Sequence, residues 1–191
     1  MTVVSSPAAA PRDLLETIRT ERLILRPVRR SDAGLLSLYT ADRRVAEATR
    51  SIPYPLPPGA TEAFIEAAMS GRRDEDVWVL DGSAHGSAEV IGLISLKPLD
   101  RSQSQVGYWV APAFWNTGFA SEAVRGLIAA NPHRARTIFA EVFQDNPVSA
   151  RVLSNCGFEY LGDAEAFSVA RGASVATWTY LRDMEPGGES H

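Results

Sequence analysis

The segment between residues 105 and 143 restricts the fold more than any other part of the chain, because its hydrophobic period changes twice. QVGYWV (105–110) has the composition of a strand, and TIFAEVF (137–143) has it again. Between them, from Gly118 to a stop near Asn131, apolar residues return at the spacing of a helix face. These residues are Ala120, Val124, Leu127 and Ile128. A strand–helix–strand unit of this length predicts two parallel strands joined by a right-handed crossover.

The chain before this unit predicts three further strands. RLILRP (22–27) is rich in aliphatic residues and ends at a proline, and DVWVL (76–80) and EVIGLISL (89–96) have a similar composition. Gly, Ser, Asp and Pro fill the connections between the later strands, which is typical of turns. The first half of the sheet is therefore expected to be an antiparallel meander.

Two helices are expected between the first and the second of these strands. Ser31 is a suitable N-cap for the first helix, and Thr61 is one for the second. The segment SIPYPLPPGA (51–60) between them carries four prolines in ten residues, which excludes a regular helix there. The expected apolar faces consist of Leu35, Leu38 and Tyr39 in the first helix and of Phe64, Ile65, Ala68 and Met69 in the second.

The end of the chain predicts one more helix and two strands. Asn146 is expected to be the N-cap, Pro147 the first helical residue and Gly157 the residue that ends the helix. Strands are expected near 158–161 and 175–181. The whole pattern predicts an α/β fold, a mixed α+β sheet with an antiparallel first half and one central parallel crossover. The buried stripe of the last helix is expected to contain Val148, Val152 and Cys156.

Length and charge exclude several functions. A chain of 191 residues suits one globular domain, expected at 18–184, with a disordered Ala/Pro/Ser-rich start (1–17) and a flexible tail (185–191). A net charge of −4 gives no basic surface for nucleic acid. No apolar run reaches the ~20 residues of a membrane span. The single cysteine excludes an internal disulfide and fits a reducing compartment, so the expected location is the cytoplasm.

Gly118 stands where the turn after the first parallel strand leads into the helix. Such a turn presents unpaired main-chain N–H groups at the positive end of the helix dipole, which favours an anion such as phosphate. Without a Cβ, Gly118 lets a ligand approach the main chain closely. A Walker loop is excluded because no Lys-Ser/Thr pair follows, and a dinucleotide fingerprint lacks two of its glycines. On local chemistry alone, Gly118 is equally explained as relief of a tight turn.

Three stretches resemble the signatures of one enzyme family. TERLILRP (20–27), VGYWVAPAFWNTGFASEAV (106–124) and NPVSARVLSNCGF (146–158) are similar, in order and spacing, to those of RimJ/RimL-type GNAT N-acetyltransferases. The resemblance covers roughly residues 18–182. It implies the GNAT acyl-CoA N-acyltransferase fold, in which two central parallel strands splay apart and acetyl-CoA lies in the V-shaped gap between them.

The resemblance also implies which residues bind acetyl-CoA. Tyr108, Trp109 and Val110 match the end of the first central strand, whose main chain pairs with the pantetheine arm and polarises the thioester carbonyl. Asn146 and Ser149 match the Asn and Ser that lie near the pantetheine and the thiol. The pyrophosphate loop is matched by Trp115, Asn116, Thr117, Gly118, Phe119 and Ala120.

The chain departs from the family pattern at four positions. Asn116 and Thr117 stand where the loop usually has a basic residue or a second glycine, so acetyl-CoA is expected to bind more weakly or to find a cation elsewhere. Gln105 replaces a frequent glutamate and removes one candidate base. Leu153 replaces the tyrosine that protonates the leaving thiolate in many relatives. That substitution is common in this subgroup, so it redirects the role without abolishing catalysis.

Two residues are candidates for catalysis: Ser149 as a hydrogen-bond donor to the thiolate, and Glu141 as a base acting through water. Tyr54, in the proline-rich segment, is the candidate for the acceptor site, because relatives build that site there. Structural roles stay open, as a plain N-cap for Asn146, a solvated hydroxyl for Ser149 and a surface carboxylate for Glu141. His133 is expected to be exposed to solvent, and no cluster of His, Cys and Asp has metal-ligand spacing.

The function implied by the resemblance is acetyl-CoA-dependent N-acetylation, in which a neutral amine attacks the thioester directly and no acyl-enzyme forms. The acceptor is expected to be a primary amine, with a protein N-terminal α-amine favoured over a small-molecule amine. Two other hypotheses stay open: a non-catalytic acyl-CoA-binding or regulatory module on the same fold, and a generic nucleotide-binding domain. The sequence predicts no nucleic-acid or membrane partner, and it leaves a monomer and a homodimer open.

Overall fold

A computed structural model describes residues 15–184, in which helices flank one eight-stranded sheet. The strands are β1 (Ile18–Arg19), β2 (Ile24–Pro27), β3 (Asp76–Asp81), β4 (Gly92–Pro98), β5 (Gln103–Val110), β6 (Thr137–Phe143), β7 (Glu159–Ser168) and β8 (Ala173–Asp183). The helices are α1 (Ala33–Thr40), α2 (Arg43–Ala48), α3 (Ala60–Met69), α4 (Phe119–Ala130) and α5 (Pro147–Asn155). The strand order is β1-β2-β3-β4-β5-β6-β8-β7, antiparallel except for the parallel pair β5–β6. This confirms the predicted mixed α/β fold.

The two parallel strands separate along their length. Their paired positions run from Gln103 with Thr137 to Val106 with Ala140, although β5 continues to Val110. Beyond Val106, β5 stays paired with β4 and β6 stays paired with β8. A V-shaped gap therefore opens in the middle of the sheet, between the ends of β5 and β6.

Side chains on the two faces of the sheet build two separate cores. Trp78 and Leu80 of β3 belong to the core beneath α4 and α5. Val77 and Val79 of the same strand belong to the core beneath α1 and α3. Successive side chains of a strand point to opposite faces, so alternate residues supply the two cores. The gap is consequently flanked by different helices on its two sides.

The first helix begins later than predicted, and Ser31 does not cap it. A 3-10 turn precedes α1, and the side chain that accepts a main-chain hydrogen bond there is that of Asp32, from the N–H of Arg29 at 2.8 Å. Leu35 and Tyr39 of the predicted apolar face pack against the core. Leu38, however, is 66% exposed, and Leu36 is buried in its place. The carboxylate of Asp32 is buried inside the fold, whereas the neighbouring Ser31 is exposed to solvent.

The second predicted helix starts at Gly59 and not at Thr61. Gly59 is the N-cap of α3 with a left-handed φ of +79°, and Thr61 is a buried residue inside the helix. Ile65 is buried and Phe64 packs against the same core, as predicted. Met69 at the end of the helix is more exposed than predicted, at 37%.

The starts of α4 and α5 are as predicted, but the buried face of α5 differs. Gly118, with a φ of +80°, is the N-cap of α4, and Asn146 caps α5 through its side chain. Cys156 is buried and Val152 packs against the core, as predicted. Val148, however, is 56% exposed, and the fully buried residue of α5 is Leu153. Apolar residues occur on two adjoining faces of α5, and packing on the sheet selects the one that carries Leu153.

Two short elements, β1 and α2, are absent from the sequence-based prediction, and two strands are longer than it indicates. β1 has only two residues, which is too short to show a period. α2 is capped by the carboxylate of Asp42, which accepts from the N–H of Arg44 at 2.9 Å. The strands expected near 158–161 and 175–181 are β7 and β8, which pair into one long hairpin. None of the helices within residues 15–184 is long and apolar enough to cross a membrane.

The two predicted tails lie mostly outside the described residues, since 1–14 and 185–191 are not among them. Residues 15–17 are described, and they do not behave as a free end. The main-chain carbonyl of Glu16 accepts a hydrogen bond from the indole of Trp78 at 2.9 Å. The contact with the sheet therefore begins before the predicted domain boundary at residue 18.

A buried ion cluster ties β2 to β3 and to the turn before α1. The guanidinium of Arg26 donates to Asp32 at 2.8 and 3.0 Å and to Asp81 at 2.7 Å. These three residues are 8%, 2% and 6% exposed, respectively. Burial opposes ionisation of Asp81, but hydrogen bonds from Ser83 and Arg26 outweigh it and hold the pKa of Asp81 below its ordinary value. The carboxylates and the guanidinium satisfy one another inside the fold.

Candidate active site

Main-chain groups of β5 line one side of the gap. The N–H of Ala111 donates to the carbonyl of Ile91 at 2.9 Å, so by alternation the main-chain groups of Trp109 also face β4. The main-chain groups of Tyr108 and Val110 consequently face the gap. Of the three residues matched to the strand that pairs with pantetheine, Tyr108 and Val110 therefore offer main-chain groups to the gap. The main-chain groups of Trp109 form hydrogen bonds within the sheet.

Trp115 supports the end of β5. Its Nε1 donates to the main-chain carbonyl of Val110 at 2.7 Å, so that carbonyl already has one partner. The N–H groups of Tyr108 and Val110 remain as donors toward the gap. The Trp109 side chain lies on the other face of the sheet, edge-on to Tyr39 with ring centres 6.4 Å apart.

The turn before α4 is exposed and has the backbone conformation that favours glycine. Gly118 has a φ of +80° and Asn116 a φ of +60°, and residues 115–118 are all exposed. The hydroxyl of Thr117 donates to the carbonyl of Phe114 and closes the turn. The first N–H groups of α4 have no partner within the helix. These features fit an anion such as a pyrophosphate at this turn.

Phe119 and Ala120, which the resemblance places in the same loop, point their side chains into the protein. Phe119 is 8% exposed and lies edge-on to Phe114, with ring centres 6.2 Å apart. Ala120 is partly buried, and Ala123 is the fully buried alanine of this helix. Phe119 and Ala120 anchor the start of α4, so only their main-chain N–H groups are available to a ligand.

A closed set of hydrogen bonds joins β5 to α5. Asn146 Oδ1 accepts from the N–H of Ser149 at 3.3 Å, so the N-cap role of Asn146 is real. Ser149 Oγ donates to Tyr108 Oη at 2.9 Å, and that phenol donates to the main-chain carbonyl of Ser149 at 2.9 Å. Burial raises the pKa of Tyr108, so the phenol stays protonated and neutral. Tyr108, Asn146 and Ser149 are thus brought together at the gap.

Ser149→Ala is expected to lower turnover about 10- to 100-fold while acetyl-CoA binding stays nearly unchanged. The proposed reason is that the Ser149 hydroxyl, whose partner is Tyr108 Oη at 2.9 Å, turns from that phenol and donates to the departing thiolate. Steady-state kinetics together with direct titration of CoA check this. Ser154→Ala, which changes an exposed serine of the same helix, serves as the control and is expected to change neither quantity. Full activity of the Ser149 variant would assign Ser149 to packing.

Leu153 is fully buried between α5 and the sheet. The position at which many relatives have a tyrosine is therefore an apolar contact and carries no proton donor. Two hydroxyls from other positions, those of Tyr108 and Ser149, lie beside the gap instead. The chain therefore has a leucine where many relatives have a tyrosine, but the phenol of Tyr108, from β5, lies beside the gap.

On the opposite face of the sheet, a cleft of about 840 Å³ lies between the sheet, the α1–α3 layer and the β7–β8 hairpin. Its floor includes Gln105, Gly107 and Trp109 of β5 and Glu141 of β6. Because the floor is formed by the two strands that separate, the cleft meets the gap. Its apolar wall consists of Ile52, Pro53, Leu56, Phe64, Phe167 and Val169.

The charged side chains that line this cleft form ion pairs, and their formal charges cancel. The charged nitrogen and the carboxylate oxygen are 2.9 Å apart between Lys97 and Asp74, at the far end of the cleft. They are 3.4 Å apart between Arg50 and Glu141, beside the gap. The three pairs are Lys97 with Asp74, Arg73 with Glu75, and Arg50 with Glu141. The cleft is therefore polar at its ends without an excess of either sign.

Glu141 lies where β6 separates from β5. Its Oε1 accepts from Thr177 Oγ1 at 2.7 Å, and its Oε2 is 3.4 Å from the guanidinium of Arg50. Thr177 is only 1% exposed, so the hydroxyl that holds the carboxylate is fixed. Gln105 lines the same cleft and carries no acid–base group. Glu141 is thus a held carboxylate on the cleft wall, in contrast to the surface role left open by the sequence.

Tyr54 does not line this cleft. Its ring is 41% exposed and lies against Arg43, with the guanidinium carbon 5.6 Å from the ring centre. Five residues of the same proline-rich segment line the cleft instead: Ser51, Ile52, Pro53, Leu56 and Ala60. The segment does contribute to the candidate acceptor site, but the residue selected from the sequence does not.

His133, expected in solvent, is held between two strands. Its Nε2 lies 2.7 Å from Asp76 and its Nδ1 lies 2.9 Å from Ser104 Oγ, and its side chain is 16% exposed. Cys156 is buried, and burial raises the pKa of its thiol, which fits a packed side chain and not a nucleophile. Within the described part of the chain, no three His, Cys, Asp or Glu side chains are placed to hold a metal ion.

Comparison with known proteins identifies the family. The family model described as an acetyltransferase (GNAT) domain matches residues 22–159. The chain is 28% identical over 184 residues to the uncharacterized N-acetyltransferase p20 of Bacillus licheniformis, covering 87% of this chain and 95% of p20. The chain therefore belongs to the GNAT acetyltransferase family, and it is an acetyl-CoA-dependent acetyltransferase. This decides against the generic nucleotide-binding domain.

Two solved structures show the same fold. RimL, described as a ribosomal L7/L12 alpha-N-protein acetyltransferase in complex with coenzyme A, has a TM-score of 0.75 and 17% identity, covering 89% of this chain and 99% of RimL. A spermidine N-acetyltransferase from Vibrio cholerae, in complex with CoA and spermine, has a TM-score of 0.70 and 17% identity, covering 85% of this chain and 96% of its own. At such identities, the likeness extends to the fold alone.

Proposed function

We propose that the protein transfers the acetyl group of acetyl-CoA directly to an α-amino group. The observation that carries the proposal is the gap between β5 and β6, which meets the cleft on one face and lies beside the α4 turn and α5 on the other. In this arrangement the pantetheine arm lies along Tyr108 and Val110, and the pyrophosphate lies at Gly118. RimL and the spermidine enzyme, which share the fold, are described in complex with CoA, and this supports the binding of a CoA thioester by this chain.

Direct transfer needs positioning and a few hydrogen bonds. The main-chain N–H of Tyr108 donates to the thioester oxygen as its negative charge develops, and that of Val110, about 7 Å further along the strand, donates to the pantetheine arm. The neutral amine attacks the carbonyl carbon, the C–S bond breaks, and the proton lost by the amine balances the proton gained by the thiolate. Glu141 receives the amine proton through water, and Ser149 donates to the leaving sulfur.

The type of amine follows from acid–base chemistry. A lysine amine has a pKa of about 10.4 and an α-amine one of about 7.8, so near pH 7 roughly 10% of the α-amine is neutral against well under ~0.1% of the lysine. A site for lysine must supply an effective base or a desolvating pocket. Here the carboxylate of Glu141 is already paired with Arg50, and Gln105 is no base. These features support an amine that is already partly neutral.

The charges of the cleft support a peptide end over a polyamine. A polycation is recognised by an excess of carboxylates, whereas every carboxylate on this cleft wall has a cation beside it. The apolar wall, which includes Phe167 and Val169, suits the side chain next to an α-amine. We therefore do not infer, from the likeness to the spermidine enzyme, that this chain acetylates a polyamine.

Two short peptides of one sequence test the acceptor. One has a free N-terminus and a blocked lysine, and the other is reversed. Release of free CoA near pH 7 is expected to be faster with the free N-terminus, because more of that amine is neutral. Faster release with the free-lysine peptide, across several sequences, would contradict the proposal. If neither peptide raises CoA release above the rate without an amine, acetyl transfer to a peptide amine is contradicted.

A further inference from the structure

Arg22 lies beside the turn at the start of α4, although it is far from this turn in the sequence. Its Nη2 is 3.3 Å from the position that a Cβ on Gly118 would occupy. The guanidinium carbon lies 4.4 Å from the centre of the Phe119 ring, and Nε donates to Glu122 Oε2 at 2.8 Å. Within residues 15–184, neither Nη of Arg22 donates a hydrogen bond to the protein. The guanidinium is thus held over the first turn of α4 with its outer edge uncommitted.

We propose that Arg22 supplies the positive charge that binds the pyrophosphate of acetyl-CoA. The proposal rests on the proposed function, which places the pyrophosphate at Gly118. The turn itself offers no cation, because Asn116 and Thr117 stand where a basic residue or a second glycine is usual. A guanidinium binds phosphate oxygens through two parallel N–H donors, and the outer edge of Arg22 presents such a pair.

The surroundings of Arg22 fit a phosphate ligand. A cavity of about 730 Å³ extends from Gly118 along one side of α4. Three arginines and two glutamates line it, so the formal charge of the lining is positive. The charged lining residues are Arg19, Arg22, Arg125, Glu21 and Glu122.

Glu122 holds the guanidinium of Arg22 in place without occupying the N–H groups that would bind a phosphate. Its carboxylate accepts from the main-chain N–H of Arg22 at 2.5 Å and from Thr20 Oγ1 at 2.7 Å, in addition to Arg22 Nε. Burial opposes its ionisation, but the hydrogen bonds from Thr20 and Arg22 outweigh burial and hold the pKa of Glu122 below its ordinary value. The carboxylate is engaged on the Nε side, so the Nη side of the guanidinium remains for the phosphates.

Calorimetric titration of the Arg22→Gln variant tests the proposal with two probes, CoA and dephospho-CoA, which lacks the 3′-phosphate but keeps the pyrophosphate. Loss of a charge-assisted contact is expected to weaken binding of both probes by the same factor, about 10- to 100-fold. Weaker binding of CoA with unchanged binding of dephospho-CoA would place Arg22 at the 3′-phosphate and overturn the proposal. Unchanged binding of both would overturn it as well.

Two further variants keep the test decisive. Arg30→Gln removes an exposed arginine that is paired with Glu66, far from α4, and is expected to leave both affinities unchanged. Arg22→Lys keeps the charge but loses the two-pronged donor, and is expected to weaken both probes about 3- to 10-fold. If Arg22→Gln does not fold, the lysine variant decides, and equal affinity to the wild type contradicts the proposal. Failure of the wild type to bind CoA would instead overturn the proposed function.

Discussion

Gly118→Asp is expected to weaken acetyl-CoA binding by about 30- to 1000-fold, or roughly 2–4 kcal/mol. An aspartate at this position places a negative charge where the pyrophosphate is proposed to lie. It also places a carboxylate within reach of Arg22, whose Nη2 is 3.3 Å from the new Cβ, and so occupies the nearest cation. The left-handed φ of +80° adds backbone strain for any residue with a side chain. Calorimetric titration of the folded variant measures the change.

Gly59→Asp is the matched control for this substitution. Gly59 is the N-cap of α3 with a φ of +79°, and an added Cβ would meet no atom within 4 Å. The backbone conformation, the helix position and the introduced charge are therefore the same, and only the place differs. Acetyl-CoA affinity is expected to be unchanged in this variant. Equal affinities of the Gly118 and Gly59 variants for the donor would refute the phosphate turn.

Arg26→Met is expected to lower the free energy of unfolding by about 3–5 kcal/mol. The substitution keeps most of the side-chain length but leaves the buried carboxylates of Asp32 and Asp81 without their guanidinium. An uncompensated buried charge costs far more than the loss of one contact. Urea unfolding followed at two wavelengths measures the difference and also checks that the transition stays two-state.

Arg30→Met provides the comparison for Arg26. Arg30 pairs with Glu66 at 2.7 Å, but their side chains are 73% and 47% exposed, so only a small loss of unfolding free energy is expected. The effect of Arg26→Met also depends on pH. The depressed pKa of Asp81 contributes stability above the ordinary Asp pKa of about 3.9, and this is lost as the pH falls through the folded pKa. The difference between wild type and the Arg26 variant is therefore expected to narrow in acid, and a constant difference would contradict the assigned cause.

Sequence-based prediction succeeds here where the signal is local. The helix start at Gly118, the N-cap role of Asn146 and the parallel crossover between 105–110 and 137–143 follow from patterns a few residues long. The prediction that Thr61 caps α3 is wrong, because Gly59 is a competing start signal nearby and Thr61 is buried inside the fold. Two adjacent start signals cannot be ranked without knowing which side chain the core accepts.

The features that sequence patterns miss depend on contacts between distant segments. Arg22 reaches the α4 turn because β1 and β2 lie beside that helix. The hydrophobic periodicity of the sequence does not indicate this contact. The hydrogen bonds between Tyr108 and Ser149 likewise join a strand to a helix from a different part of the chain. The family resemblance could indicate the main chain at Tyr108, but the contact of its phenol required the packed structure. Tyr54 shows the reverse limit, because other residues of the proline-rich segment line the cleft and the Tyr54 side chain does not.

The short ladder between β5 and β6 has a consequence for how long the protein survives. Within residues 15–184, only four residue pairs of the strand ladder join the half-sheet β1–β5 to the half-sheet β6–β8, from Gln103–Thr137 to Val106–Ala140. A donor lying in the gap would bridge this seam with its own amide groups, and would hold the two halves together. A ligand present at ~100 times its Kd stabilises the folded state by about 2.7 kcal/mol. The lifetime of the folded chain, and its resistance to proteases, would then rise and fall with the cell's supply of acetyl-CoA.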